Sequence, residues 1–182
     1  MNAYTPLPPA SEIVAEMRRS AVEVRPTGAP PWAILIVDLV ESNLRQWDLE
    51  DTSRDPGASD AEVAEAKREI DRLNMGRHRL VEAIDAAIDS VIDQPPMAPL
   101  ATESPGMVLD RLSVLVIRRV RTVAAARRDP AIAERVRALD AQIDALSSAL
   151  NSYMDELRAG HRRFIRYESF KLYGSSAVSL KE

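Results

Sequence analysis

The chain has 182 residues and a net charge of −4, and 46% of its residues are hydrophobic while 29% are charged. This balance excludes a disordered chain, and the slightly acidic charge argues against a general nucleic-acid binder. The absence of cysteine excludes disulfides, thiolate metal sites and cysteine nucleophiles, and it is typical of a reducing compartment.

Capping residues, prolines and apolar periodicity divide the chain into one short and four long helices. Ser59 with Glu62 forms a capping box, and Ser104-Pro105 and Asp129-Pro130 are N-cap and N1 pairs. The predicted elements are a Pro-rich tail over 1–10, a short amphipathic helix over 11–24, and long helices over about 32–54, 59–93, 104–128 and 129–157. An alternative end for the last helix lies past Gly160, at Leu172.

Short connections within each pair of long helices predict an up-down helical bundle. Each pair is joined by an Arg-Asp-Pro turn, at 54–56 and at 128–130, which suggests a duplicated helical hairpin. We therefore expect an all-α fold with one domain over residues 11–173 and a C-terminal tail over 174–182.

Polar residues on the apolar faces of three helices are the main functional signal. At about 100° per residue, Arg77 lies within about 20° of Ile70, in the middle of the apolar face of its helix. Burial of a charge or an amide costs several kcal/mol unless the group is paired, so these residues must meet polar partners. The predicted set is Asn43, Trp47, Glu50, Asp51 and Arg54 on the first long helix, Lys67, Asn74 and Arg77 on the second, and Asp110 and Arg119 on the third.

Two interpretations of this set remain open. One is a buried ion-pair network that fixes the helix register, in which Glu50 and Asp51 approach Lys67. The other is a ligand pocket inside the bundle. In the pocket, Arg77, Arg119, Lys67 and Asn74 would hold an anion, Trp47 would form an apolar wall, and Glu50 or Asp51 would act as general acid or base.

At these positions the sequence resembles a bacterial family known as domain of unknown function 4254. The resemblance covers about residues 32 to 173 and implies a compact helical domain, with no activity attached. Its motifs are Trp47-Asp48-Leu49-Glu50-Asp51, Arg54-Asp55-Pro56, Lys67-Arg68-Glu69-Ile70-Asp71 with Asn74 and Arg77, Glu82-Ala83-Ile84-Asp85, Thr102-Glu103-Ser104-Pro105, Asp110-Arg111-Leu112-Ser113 and Phe170-Lys171-Leu172-Tyr173.

The leading hypothesis is a bundle that binds an anionic small molecule without a cofactor. If the protein is an enzyme, a metal-free biosynthetic lyase, isomerase or cyclase fits best, because neither histidine has a glutamate three residues earlier, as a di-iron bundle requires. The alternative is a non-catalytic interaction protein that pairs with a second copy, as a homodimer, or with a partner helix. The longest apolar run, over residues 32–37, is too short for a membrane span, and we see no signal peptide, so a cytoplasmic protein is expected.

Overall fold

The computed structural model describes residues 7–22 and 28–168, and within these ranges the regular structure is helical. The all-α prediction is therefore confirmed. The elements are α1 (Ala10–Ser20), α2 (Pro31–Ser53), α3 (Asp60–Asp89), α4 (Pro105–Ala126), a 3₁₀ turn (Pro130–Ile132) and α5 (Ala133–Arg158).

The long helices begin where the capping residues predict. Ser59 accepts a hydrogen bond from the Glu62 N–H, and the Glu62 side chain accepts one from the Ser59 N–H at 2.8 Å, so the capping box is confirmed. Ser104 caps α4 with proline at the next position, and Asp129 caps the 3₁₀ turn that leads into α5. These caps place the starts of α3, α4 and the 3₁₀ turn, whereas α2 begins after Pro30 without a side-chain cap.

The helices pack as two hairpins, α2 with α3 and α4 with α5, and α1 lies against α2, α4 and α5. Helices α2 and α4 run in the same direction, because Asn43 bonds Asp110 and, farther along both helices, Asp48 pairs with Arg121. This arrangement is consistent with the predicted up-down bundle, whereas the origin of the two hairpins by duplication stays a hypothesis. The core is built from fully buried residues that include Met17, Ile36, Leu39, Val40, Leu109, Leu112, Val116, Ile143 and Leu157.

Both ends of the helical region differ from the prediction. Residues 7–10 are not a free tail, because Leu7 and Ala10 are buried and the Ala10 N–H donates to Asn151 at 2.8 Å. The last helix ends at Arg158, and Gly160 adopts a φ of 69°, which turns the chain back. The extension of this helix to Leu172 is therefore wrong up to residue 168, while the C-terminal tail over 174–182 lies outside the described residues.

The segment after Gly160 runs back along the α3–α4 connection. The Arg163 N–H donates to the Pro99 carbonyl at 3.0 Å, and the Arg163 carbonyl accepts from the Ala101 N–H at 2.8 Å. Phe164 is buried, and its N–H donates to the Gln94 side chain at 2.6 Å. These contacts carry residue 167 to the side of α3 on which Arg77 lies.

Candidate functional site

A cleft of about 340 Å³ opens between α2, α3 and α4, and we call it the first cleft. Of the ten residues predicted from the sequence, six line it: Asn43, Trp47, Glu50, Asp51, Arg54 and Arg77. Gln46, Val114 and Arg118 complete the lining. Most of the predicted polar set therefore converges on one cleft.

A hydrogen-bonded cluster forms the base of the first cleft. The buried Asn43 amide donates to Asp110 Oδ1 at 2.9 Å and to the Ser113 hydroxyl at 2.7 Å. The second Asp110 oxygen lies 3.5 Å from Nη1 of Arg77. Asn43 and Asp110 are thus well satisfied, and one carboxylate joins α2, α3 and α4.

Arg77 is less completely satisfied than its neighbours. Its Nε atom is buried and has no hydrogen-bond partner among the described residues, and its contact with Asp110 is long for an ion pair. An unpaired buried donor costs about 1–3 kcal/mol. The side chain is 26% exposed, so part of the guanidinium is accessible from outside the protein.

The rim of the first cleft carries charges of both signs. Arg54 pairs with Glu50 at 2.7 Å, one helical turn apart on α2. Arg118 and Asp51 are both exposed, and neither side chain forms an ion pair with the described part of the chain. Together with Arg77 at the base, Arg54 and Arg118 give the cleft three guanidinium groups, and Glu50 and Asp51 give it two carboxylates.

Arg77 also borders a second cleft of about 370 Å³. This second cleft shares Arg77 and Val114 with the first, and Asp110 lines it on the α4 side. Tyr167 lines the same cleft, with its ring centroid 5.5 Å from that of His78. Arg77 therefore stands between two spaces that a small molecule could occupy.

Of the four predicted residues that do not line the first cleft, Asp110 still joins the cluster at its base. The expectation that the other three, Lys67, Asn74 and Arg119, join the cluster is wrong. Lys67 is 67% exposed and pairs with Asp71 at 3.4 Å instead of meeting Glu50 or Asp51. It lies ten residues before Arg77, which places it about 15 Å away along α3 and about 80° around it. Asn74 is half-buried and lines neither cleft.

Arg119 faces the opposite side of α4 from Asp110, because nine residues turn an α-helix by about 180°. Its Nε donates to Asp140 of α5 at 2.5 Å, and Arg18 of α1 shares the same carboxylate at 3.4 Å. Arg119 therefore ties α1, α4 and α5 together, away from the first cleft.

Sequence reasoning missed Asp85, which has no exposed surface. Its carboxylate accepts from the Gly106 N–H at 2.7 Å, from the Tyr167 N–H at 2.9 Å and from the Ser104 side chain. Burial raises the pKa of Asp85 above its usual value, although these hydrogen bonds oppose the shift. The available signal was its spacing, four residues after Val81 and three before Ile88, on the apolar face.

Glycine at position 106 allows this contact. A Cβ there would lie 2.7 Å from the Val81 carbonyl oxygen and 2.8 Å from Asp85 Oδ1, which is too close for either atom to remain in place. Asp85 thus holds the start of α4 and the segment at Tyr167 against α3. It supports the wall of the second cleft without lining that cleft itself.

Over residues 7–22 and 28–168, no three acidic or histidine side chains come together in a way that could hold a metal ion. None of the helices in these ranges combines the length and the apolar character that a membrane crossing requires.

The chain was compared with known proteins. No curated protein and no solved structure is significantly similar to it. A family model described as "Protein of unknown function (DUF4254)" matches residues 33–165, which includes all but the first two residues of α2, the whole of α3 to α5 and every residue that lines the first cleft. Since this match covers more than two thirds of the 182 residues, the chain belongs to the DUF4254 family.

Proposed function

We propose that the protein binds an anionic small molecule, carrying a carboxylate or a phosphate, in the first cleft. The observation that carries this proposal is Arg77. Its guanidinium is partly buried at the base of a cleft, keeps only a 3.5 Å contact with Asp110, and leaves Nε without a partner among the described residues. An anion in the cleft would reach the exposed part of the guanidinium and add charge-assisted hydrogen bonds to the long contact with Asp110.

The rest of the cleft supports the same ligand chemistry. Its volume of about 340 Å³ is within the range of small-molecule sites, and Trp47 and Val114 give it an apolar wall. Arg118 adds a second guanidinium, which has no ion-pair partner among the described residues. Guanidinium groups suit carboxylates and phosphates because their planar N–H donors match two oxygens at once.

Catalysis, if the protein performs it, would use Glu50 or Asp51 as general acid or base. Asp51 is the better candidate, because Glu50 is already paired with Arg54 at 2.7 Å. A cytoplasmic, metal-free lyase, isomerase or cyclase remains the reaction class that arginines and carboxylates could serve by themselves.

The test is a binding screen on purified protein with phosphate, pyrophosphate, citrate, malonate and glutarate, read by thermal shift and confirmed by calorimetry. We expect at least one anion to bind and Arg77→Met to weaken it at least tenfold, about 1.4 kcal/mol. Arg68→Met is the matched control, because Arg68 lies on the same helix, is 68% exposed and, among the described residues, pairs only with Glu65. Equal binding by both variants, or no binding of any anion, contradicts the proposal.

A second candidate is a non-catalytic interaction protein that forms a homodimer. Exposed apolar side chains on the surface where residues 97–100 meet residues 163–165 favour it: Met97 is 94% exposed, Ile165 67% and Leu100 45%. Sedimentation velocity would test this candidate. A dimer that Met97→Asp with Ile165→Asp converts to monomer supports it, and a monomer at all concentrations rejects it.

A further inference from the structure

The geometry of the first cleft points to a narrower ligand class, and this inference rests on the proposed function. We propose that the ligand is an amino acid with a second anionic group at the far end of its side chain. The ammonium and carboxylate of the amino acid would lie at the rim of the cleft, and the distal anion would lie at Arg77.

The cleft is layered along its length because α2 and α4 are parallel. On each helix, positions four residues apart recur on the same face, about 6 Å from one another. From base to rim, the lining has three layers: Asn43 of α2 with the Asp110 to which it bonds, then Trp47 of α2 and Val114 of α4, then Asp51 of α2 and Arg118 of α4. The layers are respectively polar and paired, apolar, and charged.

Arg77 reaches the base of the cleft from the third helix. Side chains on an α-helix tilt toward its N-terminus, and its contact with Asp110 places the guanidinium near the first layer. The first and third layers are eight residues apart, or about 12 Å along the helix axes. A ligand that meets both Arg77 and the rim must therefore be extended, with an apolar middle beside Trp47.

The charges at the rim determine which charged groups the outer end of the ligand can carry. Asp51 on α2 and Arg118 on α4 have opposite charges, are exposed, and are not paired with each other or with other described residues. The remaining rim charges, Arg54 and Glu50, neutralise one another at 2.7 Å. A purely anionic end would meet Arg118 and be repelled by Asp51, whereas an α-amino carboxylate offers a partner to both.

The experiment uses three probes in calorimetric titrations of the full chain: L-2-aminopimelate, pimelate, which lacks the amino group, and L-norleucine, which lacks the distal carboxylate. We expect L-2-aminopimelate to bind at least threefold more tightly than pimelate, in keeping with the modest strength of exposed ion pairs. We expect it to bind at least tenfold more tightly than L-norleucine, because only the distal carboxylate reaches Arg77.

Two variants assign each end of the ligand to its partner. Asp51→Asn should abolish the preference for L-2-aminopimelate over pimelate, because it weakens L-2-aminopimelate and, by removing a repelling charge, slightly strengthens pimelate. Arg77→Met should weaken both diacids and leave L-norleucine unchanged, and Arg68→Met should alter none of the three affinities. Circular dichroism melts establish that each variant is folded before it is titrated.

The outcomes separate this inference from the proposed function. If pimelate binds as tightly as L-2-aminopimelate, or if Asp51→Asn weakens both equally, the amino-acid class is wrong while anion binding in the cleft stands. If none of the three probes binds, the amino-acid class is also wrong, and the screen with phosphate and the other anions decides the proposed function separately.

Discussion

Replacing Asp85 with asparagine should destabilise the fold by about 2 kcal/mol at neutral pH. The two carboxylate oxygens accept from different backbone groups, Oδ1 from the Gly106 N–H and Oδ2 from the Tyr167 N–H. An amide keeps one acceptor and turns a donor toward the other N–H, so one hydrogen bond is lost and a buried N–H is left unsatisfied, which costs about 1–3 kcal/mol. Removal of a fully buried charge offsets part of this loss.

The penalty should depend on pH in a defined direction. Burial raises the pKa of Asp85, so the folded state binds this proton more tightly than the unfolded state does. The contribution of Asp85 to stability is therefore complete below the unfolded pKa of about 3.9 and declines as pH rises through the folded pKa. The difference in unfolding free energy between wild type and Asp85→Asn should accordingly be larger at acid pH than at pH 8.

Urea unfolding of both proteins from pH 3.5 to pH 8 measures this difference, and other titrating groups cancel in the subtraction. Asp71→Asn is the control, because Asp71 is 55% exposed on the same helix. A loss below about 0.5 kcal/mol at every pH would show that the carboxylate does not hold the three segments together. A penalty that grows as pH rises would show that its pKa is lowered.

Four further substitutions test α3 and its contact with α4, the core and the base of the first cleft by urea unfolding. Gly106→Ala should lower the free energy of unfolding by about 2 kcal/mol or more, because a Cβ would lie 2.7 Å from the Val81 carbonyl oxygen. Gly76→Ala should instead stabilise α3 by about 0.5–1 kcal/mol, because a Cβ at that position meets nothing within 4 Å. Arg77→Met should change the free energy of unfolding by less than about 1 kcal/mol, because loss of a 3.5 Å ion pair is offset by removal of an unpaired buried Nε. A loss of stability above about 3 kcal/mol would instead support a structural ion pair. Leu112→Ala should cost about 2–5 kcal/mol, because the side chain has no exposed surface; a loss under about 1 kcal/mol would contradict the packing of α4.

The helices could be predicted because their signals are local. Ser59 and Ser104 cap the helices that follow them, and Pro105 lies in the first turn of α4. The convergence of Asn43, Trp47 and Asp51 on one cleft follows from their spacing of four residues on α2. These features require no knowledge of which helices become neighbours.

The errors concern residues whose surroundings depend on tertiary packing. Helix α4 is apolar on nearly all sides, so its sequence did not reveal that Arg119 faces α5 while Asp110 faces α2. Asp85 was missed because an acidic residue at helical spacing resembles a solvated one. Its partners lie about 20 and about 80 residues farther along the chain, beyond the reach of a periodicity argument.

The span of the Asp85 contacts has a consequence for the order of folding. The α2–α3 hairpin forms from neighbouring segments, so it can assemble before α4 exists as a helix. The bond from Asp85 to Tyr167 closes a loop of 82 residues, and such long-range contacts form late because their loop-closure entropy is large. We therefore expect a nascent or partly folded chain to present Trp47 and Asp51 before Val114, Arg118 and Tyr167 are in place. Ligand binding in the first cleft would then report that α4 has packed against the α2–α3 hairpin.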